Sequence, residues 1–181
     1  MQWDLIEEHQ EAYDEEVCKK IDELTDLFDI ILDDIRLYPS MMCVDVFPCI
    51  NSLAIEIPRH IQNYYRICLD EEYKYKMQKK FDFRLDLLKK ETCSVYDGLK
   101  NIFDADFLLK MCTSRPINQD ENIKKVADGL LEIVGTTYAE CFWISKQDLN
   151  RLQELYIGIL FSGWVLRCGS YGILILWGTN E

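Results

Sequence analysis

The chain has little of what most metal, cofactor and catalytic sites are built from. It contains only two histidines, His9 and His60, and its eight cysteines include no C-x-x-C pair. The usual ligand spacing of a zinc site is therefore missing. The sequence also lacks a G-x-x-x-x-G-K-[ST] phosphate loop and the sequences G-x-S-x-G, C-G-x-C-W and H-E-x-x-H. We therefore expect a protein with no metal, no cofactor and no catalytic activity.

Residues that interrupt regular structure are also scarce. Four prolines and eight glycines occur in 181 residues, and no stretch is rich in both. Repeats and low-complexity segments are absent, and 49% of the residues are hydrophobic. This composition predicts that residues 1–181 form a single compact domain with a sizeable core.

The first residues, MQWDLIEEHQ, are acidic and contain no apolar core of a signal peptide. We therefore expect an intracellular protein, cytoplasmic or nuclear, in which the cysteines are reduced and mostly buried.

Positive charge is nearly absent from the beginning of the chain. Residues 1–34 contain 13 acidic residues and two lysines, so they carry almost all of the net charge of −12. This balance argues against a basic nucleic-acid-binding protein. It permits an acidic surface that binds a basic partner.

The same segment has the clearest secondary-structure pattern. Apolar residues recur at alternating steps of four and three and form an apolar seam: Val17, Ile21, Leu24, Phe28, Ile31 and Ile35. The pattern predicts a long acidic amphipathic helix over residues 1–37 that packs on the rest of the domain and ends before Pro39. An intermolecular coiled coil is the alternative.

Further elements follow along the chain. Alternation predicts strands in MCVDVF (42–47) and SLAIEI (52–57), and Pro58 then suits the first turn of a helix. KKFDFRLDLLKK (79–90) fits a strand slightly better than a helix. Three more helices are predicted from their capping residues, which are Ser94, Asn118 with Glu121, and Ser145 with Asp148.

The end of the chain is nearly all apolar. Residues 155–177 contain one charge, Arg167, and WVLRC and YGILILW are separated by Gly169 and Ser170. This spacing predicts a hairpin with a type II′ turn, whose apolar strand is buried on both faces. A membrane tail anchor over 155–177 is the less favoured alternative, because Arg167 lies near its centre.

Together these elements predict an α+β, predominantly helical domain with a small sheet that includes the C-terminal hairpin, or alternatively an all-α bundle. In length and helical content the chain is similar to Bcl-2-like proteins. The nearest stretch to their N-W-G-R motif, SGWVLR at 162–167, lacks its order, so the similarity implies nothing about function.

The function that this pattern favours is a non-catalytic protein-interaction module, an adaptor or regulatory subunit. Its partner would be a protein with a basic or amphipathic surface, bound by the acidic face of the first helix. We assign that face to four residues: Asp22, Asp26, Asp29 and Asp33. A second candidate patch combines basic and aromatic residues: Tyr73, Lys74, Tyr75, Lys76, Lys79 and Lys80. We expect this patch to face the acidic helix of the same molecule.

Two other functional hypotheses remain. One is an acidic inhibitor or immunity-type protein that blocks a basic nuclease or nucleic-acid-binding site. The other is an enzyme with a site near His60, which lies beside two tyrosines and two arginines. Nucleic acid and membranes are not expected as partners, and self-association is left open.

Overall fold

A five-stranded antiparallel sheet with helices on both faces organises the part of the protein that the structure describes. The structure is a computed structural model, and it describes residues 14–35, 41–49, 52–68, 85–103, 119–153 and 159–179. The helices are α1 (Glu15–Ile35), α2 (Leu53–Cys68), α3 (Val95–Phe103), α4 (Gln119–Val134) and α5 (Lys146–Gln153). The strands are β1 (Met41–Pro48), β2 (Leu88–Ser94), β3 (Tyr138–Trp143), β4 (Ile159–Cys168) and β5 (Tyr171–Thr179).

The β4–β5 hairpin lies inside the sheet, whose strand order is β1-β5-β4-β3-β2. The hairpin turn is the predicted pair Gly169–Ser170, and Cys168 pairs with Tyr171 across it. Gly169 has a φ of +58°, whereas no described non-glycine residue has a positive φ. This combination fits the type II′ turn that the sequence predicts, and the hairpin prediction is confirmed.

Both faces of the sheet are covered, so the central strands are apolar on both sides. All residues of β5 from 171 to 178 are buried, which confirms the predicted doubly buried strand. One face, here called the α1 face, packs against α1, α3 and α4. The other, here called the α2 face, packs against α2 and α5.

The prediction of a predominantly helical domain is wrong, and so is the all-α alternative, because the sheet has five strands. The sequence analysis missed most of β2 and all of β3. Their sequences, LKKETCS and YAECFW, mix charged and apolar residues and carry no strict alternation over their length. The helix predicted from the Ser145 cap ends at Gln153, and Ile159 and Leu160 belong to β4.

SLAIEI was predicted to be a strand, but its residues from Leu53 onward form the first turn and a half of α2. Leu53 and Ile57, four residues apart, are buried together against the α2 face, so helical spacing explains them as well as alternation does. Pro58 therefore lies inside α2 and not at its start. It has no N–H for the carbonyl of Ala54, and the backbone N–H of Leu85 donates to that carbonyl instead, at 3.0 Å.

The capping predictions are confirmed where the structure describes them. Ser94 Oγ accepts a hydrogen bond from the backbone N–H of Asp97 at 3.0 Å and begins α3. Ser145 Oγ does the same for Asp148 at 3.1 Å and begins α5. Gly135, with a φ of +74°, ends α4.

Several predictions fall on residues outside the described ranges. These include the beginning and end of the first predicted helix, residues 79–84 of KKFDFRLDLLKK, and the Asn118 cap. The organisation of residues 1–181 as one domain also stays a prediction.

Candidate functional site

The middle of the first helix buries its apolar residues in the protein's own core. Leu24 and Phe28 are fully buried and Ile31 is 3% exposed, all within the core of the α1 face. On the side towards α4, a Cβ on Gly129 would lie 2.6 Å from Leu27, so the two helices approach closely there. The seam is therefore occupied within the chain.

The acidic face of α1 lies opposite this seam. Asp22, Asp26, Asp29 and Asp33 follow one another at steps of four and three, so they share one side of the helix. Asp22 and Asp26 are exposed, whereas Asp29 is half-buried and makes a further interaction. Asp33 continues the row along the helix, and its side chain lies outside the described residues.

Acidic residues also stabilise the beginning of α1. Asp14 Oδ1 accepts a hydrogen bond from the backbone N–H of Val17 at 2.9 Å, as an N-cap does. Glu15 and Glu16 occupy the first turn, where the helix dipole favours negative charge. No basic residue occupies the last turn. The helix is therefore stabilised at its beginning without help from a cation at its end.

Both lysines of the described part of α1 pair with glutamates of the same helix. Lys20 Nζ lies 2.9 Å from Glu16, and Lys19 Nζ lies 3.6 Å from Glu23. The hydrogen bond and the negative charge of Glu16 raise the pKa of Lys20. These exposed pairs contribute little to stability. They do direct the helix's own positive charge towards its glutamates and leave the aspartates as the most negative surface.

The predicted basic and aromatic patch, residues 73–80, lies outside the described residues. Its expected contact with the acidic helix therefore stays a prediction.

The His60 side chain is half-buried, and its Nε2 atom is fully buried. Its ring stacks on Phe47 with centroids 4.9 Å apart and planes at 29°. Burial lowers the pKa of His60 to about 4, so the imidazole is neutral at pH 7. Among the described residues, none hydrogen-bonds to its buried Nε2 atom. The enzyme hypothesis itself is untested.

Five of the cysteines whose side chains the structure describes carry free thiols, namely Cys18, Cys49, Cys93, Cys141 and Cys168. Burial raises the pKa of Cys49 to about 11 and that of Cys168 to about 12. Such thiols stay protonated at neutral pH and are weak nucleophiles. Within the described ranges, no group of three or more His, Cys, Asp or Glu residues could hold a metal ion. No helix of those ranges combines the length and the apolarity needed to cross a bilayer.

Sequence reasoning missed a second polar surface at one end of the α2 face, where Arg167, Glu140, Thr92 and Tyr138 line a groove. Arg167 entered the sequence analysis only as a charge inside an apolar run. The sequence did contain one signal for an exposed Arg167. This residue lies three residues before Ser170 and therefore next to the predicted turn, where a strand extends beyond the covered centre of a sheet.

Comparison with known proteins gives one structural likeness. No protein-family model matches the chain, and no curated protein matches it. Two crystal forms of citrus MAF1 resemble the fold. The first has a TM-score of 0.44 and 13% identity and covers 90% of this chain and 98% of that chain. The second has a TM-score of 0.39 and 11% identity and covers 88% and 98%. Alignments this loose carry no argument about what the chain binds.

Proposed function

We propose that this chain is a non-catalytic adaptor or regulatory protein that binds a basic partner protein through the acidic face of α1. The observation that supports the proposal is that the two sides of this helix have different surroundings. Its apolar seam is buried in the chain's own core, while Asp22 and Asp26 are exposed on the opposite side. A partner that binds this helix would therefore contact charged side chains and not apolar ones.

The two lysines of the described helix strengthen this argument, because they pair with Glu16 and Glu23. A row of carboxylates on a regular helix attracts a basic surface during encounter and sets its orientation. It contributes less to affinity than to rate and specificity, and the binding weakens as salt is added.

Site-specific photocrosslinking in an extract of the native cell tests the proposal. A photoreactive residue at position 26 reports on the acidic face, and one at position 124, an exposed lysine of α4, is the matched control. We expect an adduct at position 26 that is absent at position 124. Its crosslinked peptide should carry net positive charge, and 0.5 M NaCl should weaken it about tenfold or more.

The variant Asp22→Asn with Asp29→Asn should reduce the same adduct several-fold while α1 stays folded, since both changes preserve side-chain size. Equal adducts at positions 26 and 124, or a crosslinked peptide without positive charge, would contradict the proposal.

A further inference from the structure

A groove of about 380 Å³ lies at one end of the sheet, outside the acidic face of α1. Its lining includes side chains from three neighbouring strands, namely Thr92 of β2, Tyr138 and Glu140 of β3, and Arg167 of β4. Gly169 of the hairpin turn completes the rim on the β4 side. The volume falls within the range of small-molecule sites in proteins.

The register of the sheet explains why these side chains meet. Thr92 pairs with Glu140, and Glu140 pairs with Arg167. Residues directly opposite one another in antiparallel strands project from the same face of a sheet. Tyr138 is two residues before Glu140 on the same strand, so it projects from that face as well. The four side chains therefore form one polar row at the end of the otherwise apolar α2 face.

The groove exists because the pairing of β3 with β4 ends before β3 does. The last pair is Glu140 with Arg167, whereas β3 continues to Tyr138 alongside β2. Beyond that pair, the hydroxyl of Thr136 hydrogen-bonds to the backbone of Tyr138, where a residue of β4 would otherwise do so. It accepts a hydrogen bond from the backbone N–H of Tyr138 at 3.3 Å and donates one to its carbonyl at 3.1 Å. The backbone N–H and carbonyl of Tyr138 are thus hydrogen-bonded within the chain.

Among the described residues, the acidic atom that pairs with the Arg167 guanidinium is Glu140 Oε2 at 3.8 Å, which is beyond hydrogen-bond distance. Within the described residues, no acceptor hydrogen-bonds to Arg167, to the hydroxyl of Thr92 or to that of Tyr138. The Arg167 side chain is 42% exposed and Tyr138 is 66% exposed, so a ligand can reach both.

We propose that this groove binds the carboxylate of a small organic acid, with Arg167 as its principal ligand. A guanidinium presents paired N–H groups that match the two oxygens of a carboxylate. The hydroxyl groups of Thr92 and Tyr138 supply further donors from β2 and β3, on one side of Arg167. The binding site is independent of the acidic face, because it lies on the opposite face of the sheet from α1.

Glu140 weakens the attraction of this groove for an anion. Its carboxylate lies 3.8 Å from the Arg167 guanidinium and offsets part of its positive charge. Replacing Glu140 by Gln removes that negative charge, so the variant should bind glutarate several-fold more tightly.

NMR titration of the full chain tests the proposal, with the backbone amide signals of Gly169 and Tyr138 as reporters. The titrants are glutarate, glutaramide and inorganic phosphate, at an ionic strength held constant with NaCl. We expect saturable shifts with glutarate, none with glutaramide, and weaker binding of phosphate than of glutarate. Arg167→Gln should reduce the affinity for glutarate about tenfold or more, because it removes a charged hydrogen-bonding group.

Arg59→Gln is the matched control, since Arg59 is an exposed arginine on α2, and it should leave the glutarate titration unchanged. Absence of saturation with glutarate, or unchanged binding in Arg167→Gln, would overturn the proposal. Tighter binding of phosphate than of glutarate by the unmodified chain would overturn the carboxylate preference. Tighter binding of trialanine with a free carboxyl end would overturn the assignment to a small acid.

Discussion

The buried imidazole of His60 makes the stability of this protein depend on pH, and His60→Phe should remove that dependence. Burial lowers the pKa of His60 from 6.5 to about 4. Between these two values the unfolded chain binds a proton at this site and the folded chain does not, so stability falls as the pH falls. Above pH 6.5 both states are neutral at this site, and its full contribution is present.

The size of the effect follows from the shift. Each pH unit between the two pKa values is worth about 1.4 kcal/mol, so lowering the pH from 7 to 4 costs about 3 kcal/mol through His60 alone. Phenylalanine keeps a flat ring to stack on Phe47, and the Nε2 atom that it removes has no hydrogen bond to a described residue. The variant should therefore fold at pH 7 and be at least as stable there.

Urea unfolding at pH 7 and at pH 4, followed by tryptophan fluorescence, measures the difference. The carboxylates titrate in both proteins and cancel when the two losses of stability are subtracted. We expect the loss in the unmodified chain to exceed that in His60→Phe by about 3 kcal/mol. His9→Gln serves as the control and should keep the pH dependence of the unmodified chain. Equal losses in His60→Phe and the unmodified chain would refute the argument.

Two further substitutions test the packing of the α2 face. A methyl group on Gly172 would lie 2.6 Å from ring atoms of Phe47, so Gly172→Ala should destabilise the fold by about 1–3 kcal/mol in urea unfolding, and adding Phe47→Leu should restore part of the loss. Asp148 is 2% exposed and accepts hydrogen bonds from the backbone N–H of Asp86 at 2.9 Å and from the hydroxyl of Ser145 at 3.1 Å. Asp148→Ala should cost about 3 kcal/mol and Asp148→Asn clearly less, and equal losses would show that the carboxylate oxygens are not what matters.

The sequence predicted well the elements whose signal is local. The seam of α1, the caps at Ser94 and Ser145, and the hairpin turn at Gly169 each depend on neighbouring residues, and all are present. A cap or a two-residue turn specifies its backbone through its own chemistry, so no distant partner is needed to recognise it.

The elements that were missed depend on distant partners. β3 is a strand because β2 and β4 flank it, and its own sequence YAECFW gives only a weak pattern. SLAIEI fits a strand and a helix equally well over six residues, and burial against the α2 face decided in favour of the helix. The predicted fold class was wrong because these strands were missed. Without β2 and β3 the predicted sheet was small, whereas the sheet in the structure has five strands.

The candidate site divides in the same way. The acidic face of α1 was assigned from helical spacing alone, and the structure brings its residues to one side of the helix. The groove at Arg167 depends on the register of three strands and on where one ladder ends. That information is tertiary, and the sequence indicated only that Arg167 lies next to the hairpin turn.

The position of the hairpin has a consequence for how the chain folds during synthesis. Val44 of β1 pairs with Ile175 of β5, so β1 cannot form this pairing until β5 has been synthesised. Until the hairpin emerges, β1 and the β2–β3 pair have nothing between them and remain separate pieces. Long-range pairing of this kind slows folding and leaves unpaired strands open to aggregation. Before β5 is synthesised, β1 therefore lacks its partner strand and is open to aggregation.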